Sequence, residues 1–336
     1  MDRESQLVER TVRAIPSSLG RRGAANLRLG IGDDAAVLAP TGGAEWILSC
    51  DAFLEGVHFL EKVHPPDSVG YKALVRAVSD LVAMGGTPRL FLLTLAIPWR
   101  LTGNWLDSFL RGMARAARLL GMRLAGGDTT RSGSVYISVA VLGEAPRGRA
   151  VARSGARPGD IIYVSGRLGG ARLGLELILN RGGAGRRLRR LLRPHLYPKI
   201  RVELGEWLAR RGVPSAMMDI SDGLSTDLDR LCRASGVGAR LWADKIPQVA
   251  IPDRISRRRK MPKFDPLELA LHGGEDYELL FTVPPRKVKR LKRAPEFREL
   301  TPIGEITRNR RMILVGEDGK SKMLEPGGWD PFREKS

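Results

Sequence analysis

The sequence predicts a two-domain protein of mixed α/β (α+β) class. Three observations carry the prediction. The chain has 336 residues, and domains average about 150. Segments with strand and helix signatures follow one another in both halves. A stretch rich in Arg, Gly and Pro, residues 144–158, interrupts them and reads as a connection, which divides the chain into domains 1–148 and 149–336.

Residues 1–15 are charged and amphipathic and predict a helix that ends before Pro16, because the residue preceding a proline resists the helical region. A glycine-bounded segment from Gly30 to Leu38 precedes a strand at Trp46–Asp51. From Ser68 to Met84 the apolar residues Leu74, Val78, Leu81 and Val82 have helical spacing, which stops at Gly85-Gly86. Leu90–Ile97 reads as a buried strand, Asn104–Leu120 as a helix and Val135–Leu142 as an alternating strand. In the second half a strand at Asp160–Ser165 leads through a Gly-rich turn to a helix ending at Asn180. A basic loop follows, then a helix around Ile200–Arg211, a strand at Ala216–Asp219 and a helix over Gly223–Ala234. Further strands are expected at Ala239–Trp242, Glu278–Val283, Pro302–Ile306 and Met312–Val315.

Composition narrows the class. With 43% hydrophobic and 28% charged residues the chain is globular rather than disordered. Leu90–Ile97 is far shorter than the ~20 residues of a membrane-spanning helix. The first fifteen residues lack the apolar core of a secretory signal. A cytoplasmic protein without a membrane partner is therefore expected. Two cysteines, Cys50 and Cys232, exclude a disulfide framework and a Cys-based zinc site. Lys and Arg number 56 against 37 Asp and Glu, a formal net charge of +19. Much of the excess lies in clusters: Arg186 to Arg193, Arg257 to Lys260 and Arg286 to Arg293. Such runs can neutralise nucleic-acid phosphates. No recognition motif or stacking aromatic is interleaved with them, so they read as solvated faces, and nucleic acid is disfavoured as a partner.

The acids are arranged differently. Asp33-Asp34, Asp51, Asp80, Asp128, Asp219, Asp222, Asp227 and Glu275-Asp276 sit in short, glycine-flanked, otherwise apolar segments. A carboxylate at the end of an apolar strand must be paired or metal-bound, because burying it alone is very costly. Singly, each has an ordinary explanation: Asp222 as the cap of the next helix, Asp128 as the anchor of a turn. Their joint recurrence favours a shared centre. Oxygen ligands without a Cys or His cluster suit Mg²⁺, and several mutually repelling aspartates imply more than one ion and a polyphosphate. Gly30-Ile31-Gly32, Gly126-Gly127 and Gly273-Gly274 would let backbone approach those phosphates. The chain has no G-x-x-x-x-G-K-[ST] loop, and the formal dinucleotide match at Gly30, Gly32 and Ala35 is cut short by Pro40. Neither cysteine has a histidine beside it to act as base, so a thiol nucleophile is unsupported.

Several motifs follow one another over nearly the whole chain. They are Gly30-Ile31-Gly32-Asp33-Asp34, Ser49-Cys50-Asp51 with Glu55-Gly56-Val57-His58, and Gly70-Tyr71-Lys72 leading to Ser79-Asp80. After them come Gly126-Gly127-Asp128-Thr129-Thr130, Met218-Asp219-Ile220-Ser221-Asp222-Gly223 and Gly273-Gly274-Glu275-Asp276-Tyr277. The ordered set resembles the thiamine-monophosphate kinase family, in the superfamily of aminoimidazole ribonucleotide synthetase and selenophosphate synthetase. The resemblance implies a two-domain aminoimidazole ribonucleotide synthetase-like fold. Its N-terminal α/β domain pairs with a second copy in a homodimer, and its C-terminal α/β domain completes the site. It also implies phosphorylation of thiamine monophosphate to thiamine diphosphate, with ATP as co-substrate and Mg²⁺ as cofactor. By motif position Asp33, Ser49, Cys50, Asp51, Asp80, Asp128, Asp219 and Asp222 look like metal ligands, direct or through water. Asp51, Asp80, Asp128 and Asp219 would be the catalytic carboxylates among them. Gly127, Asp128, Arg153 and Ser221 would meet the nucleotide, and His58, Glu275 and Trp329 the substrate.

Two positions depart from that pattern. The family often has Thr where Cys50 stands, so a metal contact there would use the backbone carbonyl, since a thiol poorly suits Mg²⁺. An aromatic is expected at Leu120 to stack on adenine, which leaves apolar packing to hold the base. The implied acceptor is a phosphate monoester, largely dianionic at neutral pH because its second pKa is about 6. It needs no general base, and catalysis reduces to positioning and charge neutralisation, with Arg153 as a further cation. An indole face binds a fixed cation such as thiazolium, which gives Trp329 a role equal in weight to terminal packing. The competing reading is another ATP-dependent enzyme of the superfamily, of the hydrogenase-maturation or purine-synthesis type.

Overall fold

The structure is a computed structural model, and it describes residues 27–29, 33–38, 43–180, 189–256, 262–291, 297 and 299–332. The helix expected over residues 1–15, the Gly30-Ile31-Gly32 segment and the basic residues 186–187, 257–260 and 292–293 lie outside the described residues.

In the first half, β1 (Leu27–Leu29), β2 (Ala36–Leu38), β3 (Ala44–Leu54), β4 (Thr87–Ile97), β5 (Arg123–Arg131) and β6 (Tyr136–Pro146) form one sheet in the order β1-β2-β3-β6-β4-β5. Every neighbouring pair is antiparallel except β4 and β5. Helices α1 (Pro66–Ala83) and α2 (Asn104–Leu119) pack on each other, and α1 lies on β3, β4 and β6. In the second half, β7 (Ile161–Val164), β8 (Ala216–Asp219), β9 (Gly238–Trp242), β10 (Leu279–Val283), β11 (Thr301–Thr307), β12 (Met312–Val315) and β13 (Ser321–Met323) form a second sheet, ordered β13-β12-β9-β11-β7-β10-β8. Its helices are α3 (Gly170–Leu179), α4 (Arg189–Leu196), α5 (Val202–Arg211), α6 (Leu224–Ser235), α7 (Asp253–Ser256), α8 (Pro266–His272) and α9 (Val288–Leu291). Among the described residues no helix is long and apolar enough to cross a membrane.

Helix α1 is the element that joins the halves. Pro66 opens it at a position where the missing N–H costs nothing. From Ser68 to Ala83 nearly every residue is buried, as expected of a helix covered on all sides. One side meets the first sheet, and the other meets β8 and α5. Where α2 crosses, a Cβ on Gly112 would come within 1.8 Å of the Asp67 carbonyl oxygen, so only glycine permits the approach.

Two elements differ from the sequence reading. The Gly126-Gly127-Asp128 segment is not a loop but part of β5, whose residues are all exposed. Gly127 has φ 149°, and a Cβ there would lie 1.8 Å from the Leu93 carbonyl oxygen, so glycine lets this edge strand lie close along β4. The basic loop after Asn180 contains α4. Its apolar stripe of Leu192, His195 and Leu196 is buried beneath the arginines.

Strand β3 alternates between the two faces of the first sheet. Along β3 Glu45, Ile47 and Phe53 are buried, whereas Trp46, Leu48 and Cys50 are exposed. Leu48, Leu142 and Leu90 lie opposite one another across β3, β6 and β4 on that exposed face, and Cys50, Ala140 and Leu92 form the next rung.

Candidate active site

The alternation of β3 turns Ser49 and Asp51 toward α1, which carries Lys72, Arg76, Ser79 and Asp80. These four fall at i, i+4, i+7 and i+8, one stripe on an otherwise apolar helix. From the second half, β8 ends at Asp219, and the turn into α6 holds Ser221 and Asp222. The carboxylates of Asp34, Asp80 and Asp219 converge, each offering an oxygen within 4.8 Å of the others.

Each is held by its neighbours. Ser49 Oγ donates to Asp80 Oδ2 at 2.6 Å, and Ser79 Oγ to Asp219 Oδ2 at 2.6 Å. Asp34 Oδ1 receives the Arg153 guanidinium at 2.6 Å, while its Oδ2 is buried without a hydrogen-bond partner. Burial pushes the Asp219 carboxyl up to about 7, with the charge of Asp34 adding to the rise. Burial, then Asp51 and Asp219, drives Asp80 well above the ordinary carboxylate range. Burial works against the charge of Arg153, but Asp34 beside it outweighs that and holds the guanidinium protonated. Three acids, two buried and one half-buried, beside one guanidinium and with an acceptor oxygen left over, form a centre short of positive charge. An oxygen-only donor set of this kind suits a hard divalent cation.

Around this centre lie further charged groups. Arg76 Nε donates to Asp51 Oδ2 at 2.9 Å. Asp222 pairs with Arg230, and Asp227 Oδ2 accepts from the backbone N–H groups of Asp222 and Gly223 at 3.0 and 3.1 Å. Asp227 thus ties the turn before α6 onto the helix's first turn, while Asp222, which sequence alone allowed as a cap, makes no side-chain cap bond. Glu275 takes Lys72 Nζ at 2.6 Å and His195 Nδ1 at 3.0 Å. The turn that presents it is strained: Glu275 has φ 60° and Tyr277 φ 51°, backbone that side chains rarely adopt. It is tied down by bonds from Glu275 N to Ser221 O (2.7 Å) and Tyr277 N to Ile220 O (2.9 Å). His58 Nδ1 accepts from Leu54 N at 3.0 Å, and burial, then Arg76, pushes the ring down to about 4, so it is neutral. Trp329 is half-exposed, and its backbone N–H donates to Asp222 O at 2.9 Å, which docks the chain's C-terminal stretch on the same turn.

Of the residues singled out by sequence, Ser49, Asp51, Asp80, Arg153, Asp219, Ser221, Asp222, His58, Glu275 and Trp329 lie within this connected set. Asp33 accepts from Arg153 N at 3.1 Å, and its neighbour Asp34 is the one that joins Asp80 and Asp219. Cys50 points to the opposite sheet face, with Sγ 3.4 Å from Ser138 Oγ. Asp128 stands opposite Thr94, which pairs with Ser138 on that same outer face, and its carboxylate accepts from Thr129 N at 2.9 Å. Sequence reasoning quoted Lys72 and Ser79 within a motif without giving them a role, and it missed Arg76, His64, His195 and Arg230. For the α1 residues the polar stripe was the available signal.

Comparison with known proteins follows from this geometry. Residues 32–145 match the family model of AIR synthase related protein, N-terminal domain, and residues 157–317 that of AIR synthase related protein, C-terminal domain. The thiamine-monophosphate kinase of Bacillus subtilis (strain 168) is 33% identical over 314 residues, covering 91% of this chain and 94% of the relative. That of Escherichia coli (strain K12) is 37% identical over 311 residues, covering 91% and 93%. A solved structure described as AaThiL complexed with AMPPCP and TMP superposes with a TM-score of 0.83 at 33% identity, over 97% of this chain and 96% of the other. Matched by both domain models and at least 33% identical to these relatives over about nine-tenths of its length, the chain belongs to the thiamine-monophosphate kinase family.

Proposed function

We propose that the protein transfers the terminal phosphoryl group of ATP to thiamine monophosphate, giving thiamine diphosphate and ADP. The observation that carries this reading is the meeting of Asp34, Asp80 and Asp219, contributed by both halves of the chain. A charge-deficient centre built from both domains suits two polyanions that must be brought together.

Asp34, Asp80 and Asp219 would hold Mg²⁺, with Asp33, Ser49, Asp51, Asp128, Asp222 and the Cys50 carbonyl completing the set. Bound Mg²⁺ supplies the charge neutralisation and alignment that phosphoryl transfer requires. Arg153 adds a fixed cation beside Asp34, while Gly127, Asp128 and Ser221 meet the nucleotide. The acceptor oxygen is already ionised, so no side chain has to remove a proton from it. His58 and Glu275 line the acceptor's place, the first as a neutral ring and the second as a carboxylate suited to a cationic heterocycle. The indole of Trp329 offers a π-face to the same cation.

The assembly we propose is a homodimer through the outer face of the first sheet. Trp46, Leu48, Leu90 and Leu92 are 37–47% exposed there, an apolar patch that calls for a partner. Asp128 shares that face. It lies three strands from β3, about 14 Å at normal strand spacing, too far to join Asp51 on a shared ion within one chain. We propose that a second copy supplies the Asp128 that completes each site. The domain boundary near residue 148 leaves this face entirely within the N-terminal unit.

The direct test is incubation of the purified protein with Mg-ATP and thiamine monophosphate, followed by mass spectrometry. Thiamine diphosphate formed in equal amount to ADP is the expected result. Absence of product with this acceptor at every metal concentration would overturn the reading.

A further inference from the structure

Behind Glu275 runs a closed chain of buried polar groups from three parts of the fold. His195 on α4 places Nδ1 3.0 Å from Glu275 Oε2, and its Nε2 lies 2.9 Å from His64 Nε2. His64, in the loop before α1, has its Nδ1 3.1 Å from Leu60 N. Lys72 Nζ on α1 reaches Glu275 Oε1 at 2.6 Å and lies 3.3 Å from His195 Nδ1. His64, Lys72 and His195 are each at most 6% exposed.

The protons can be assigned from these contacts alone. A carboxylate at 3.0 Å requires a hydrogen on His195 Nδ1, which leaves Nε2 of that neutral ring as an acceptor. His64 must then donate from its own Nε2, so its Nδ1 is bare and accepts from the Leu60 N–H. Each ring has one donor and one acceptor, and all four are used. Protonating His195 would set its Nε2–H against that of His64, whereas a hydrogen on His64 Nδ1 would displace the Leu60 N–H and turn to the Leu60 carbonyl oxygen at 3.2 Å. Lys72 and Glu275 are the charged groups facing both rings, and burial together with Lys72 holds each ring neutral.

We infer that His195 is a positioning residue for the phosphoryl acceptor: with Lys72 it clamps the Glu275 carboxylate in its strained turn, and His64 locks the ring that does so. Each Glu275 oxygen keeps a further lone pair, and His58 and Arg76 lie near enough to feel the carboxylate's charge. The inference rests on the proposed substrate, thiamine monophosphate, and assigns its heterocyclic end to Glu275.

Three variants and one spectrum test it. His195→Leu removes the donor to a charged acceptor and should raise the KM for thiamine monophosphate about tenfold or more, with the KM for ATP and kcat within about threefold. His195→Asn places an amide N–H where Nδ1–H was and should restore the acceptor KM to within about threefold. His64→Gln keeps the donor that faces His195 and should behave likewise. In the unmodified protein, long-range ¹H–¹⁵N correlation should report His195 as the Nδ1–H tautomer and His64 as the Nε2–H tautomer. Opposite tautomers, or an unchanged acceptor KM in folded His195→Leu, would overturn the inference. If that variant does not fold, the tautomers and the Asn variant decide. A wild-type protein inactive on thiamine monophosphate with these same tautomers would sink the substrate reading, whereas an active one with the opposite tautomers would sink the clamp.

Discussion

Ser79 Oγ donates to Asp219 Oδ2 at 2.6 Å, so a hydroxyl on the helix of one half holds a carboxylate at the strand end of the other. One residue on, Asp80 receives Ser49 Oγ at the same distance. Two hydroxyls thus fix two acids whose mutual repulsion would otherwise spread them. Ser79→Ala leaves Asp219 without its side-chain donor, at a cost of about 1–3 kcal/mol in folding. It should also lower kcat by about tenfold or more, because the carboxylate is no longer aimed. Denaturant melts and steady-state rates measure both, and an unchanged rate would show that Asp219 needs no such guide.

The acidic centre is a site of repulsion that function requires. Asp80→Asn or Asp219→Asn keeps an oxygen to accept the serine hydroxyl while removing one buried charge. Without divalent ions these variants should melt higher than wild type. With Mg-ATP their turnover should fall about 100-fold or more. Mg²⁺ at 100 times its dissociation constant should stabilise wild type by about 2.7 kcal/mol and the variants by much less. Melting curves with and without Mg²⁺ separate the two effects.

The sequence told the type of chemistry better than it told the geometry. Asp51, Asp80 and Asp219 were legible because each ends or interrupts an apolar segment, which is where an unexplained charge stands out. Asp34 was not separable from Asp33, since only the turn of the chain before β2 decides which side chain faces inward. His64 and His195 were invisible, being 131 residues apart and each unremarkable in its own segment. No strand was expected at Asp128, which sequence allowed as the anchor of a turn, and paired glycines such as Gly126-Gly127 normally weaken a strand. Parallel pairing with β4 overrides that preference by accepting backbone that only glycine adopts.

Acid should destabilise the fold through His64. Burial, then His195, pushes its pKa down to about 4 from 6.5. Between those values the unfolded chain takes up a proton that the folded chain refuses, so stability is intact above pH 6.5 and is lost as the pH falls toward 4. From pH 7 to pH 5 the loss is about 2 kcal/mol from this ring. His64→Gln removes this ring's titration and should reduce the loss between the two pH values by about 2 kcal/mol while leaving that of His58, which urea melts will measure.

The proposed role of Trp329 is to offer its indole to the substrate, while its backbone N–H holds Asp222 O. Trp329→Ala keeps the second contact and removes the first. The KM for thiamine monophosphate should rise about tenfold, the order expected for a desolvated cation–π contact. The KM for ATP should stay within about twofold. A matching rise in both would make Trp329 a packing residue.

Asp128 provides a test of the dimer that is read in turnover. In its own sheet it is three strands from Asp51, yet it shares the exposed face of Leu48, Leu90 and Leu92 with Cys50 and Ser138. If each copy lends Asp128 to its partner, Asp128→Asn and Asp51→Asn proteins should be inactive alone and active when mixed and allowed to exchange. Half of randomly formed dimers are mixed, and each mixed dimer has one site with both carboxylates intact. Recovered turnover should then approach about a quarter of wild type. If both carboxylates served the same chain, no mixture would hold an intact site and none would recover. Leu92→Arg in either copy should abolish the recovery by placing a charge in the apolar face.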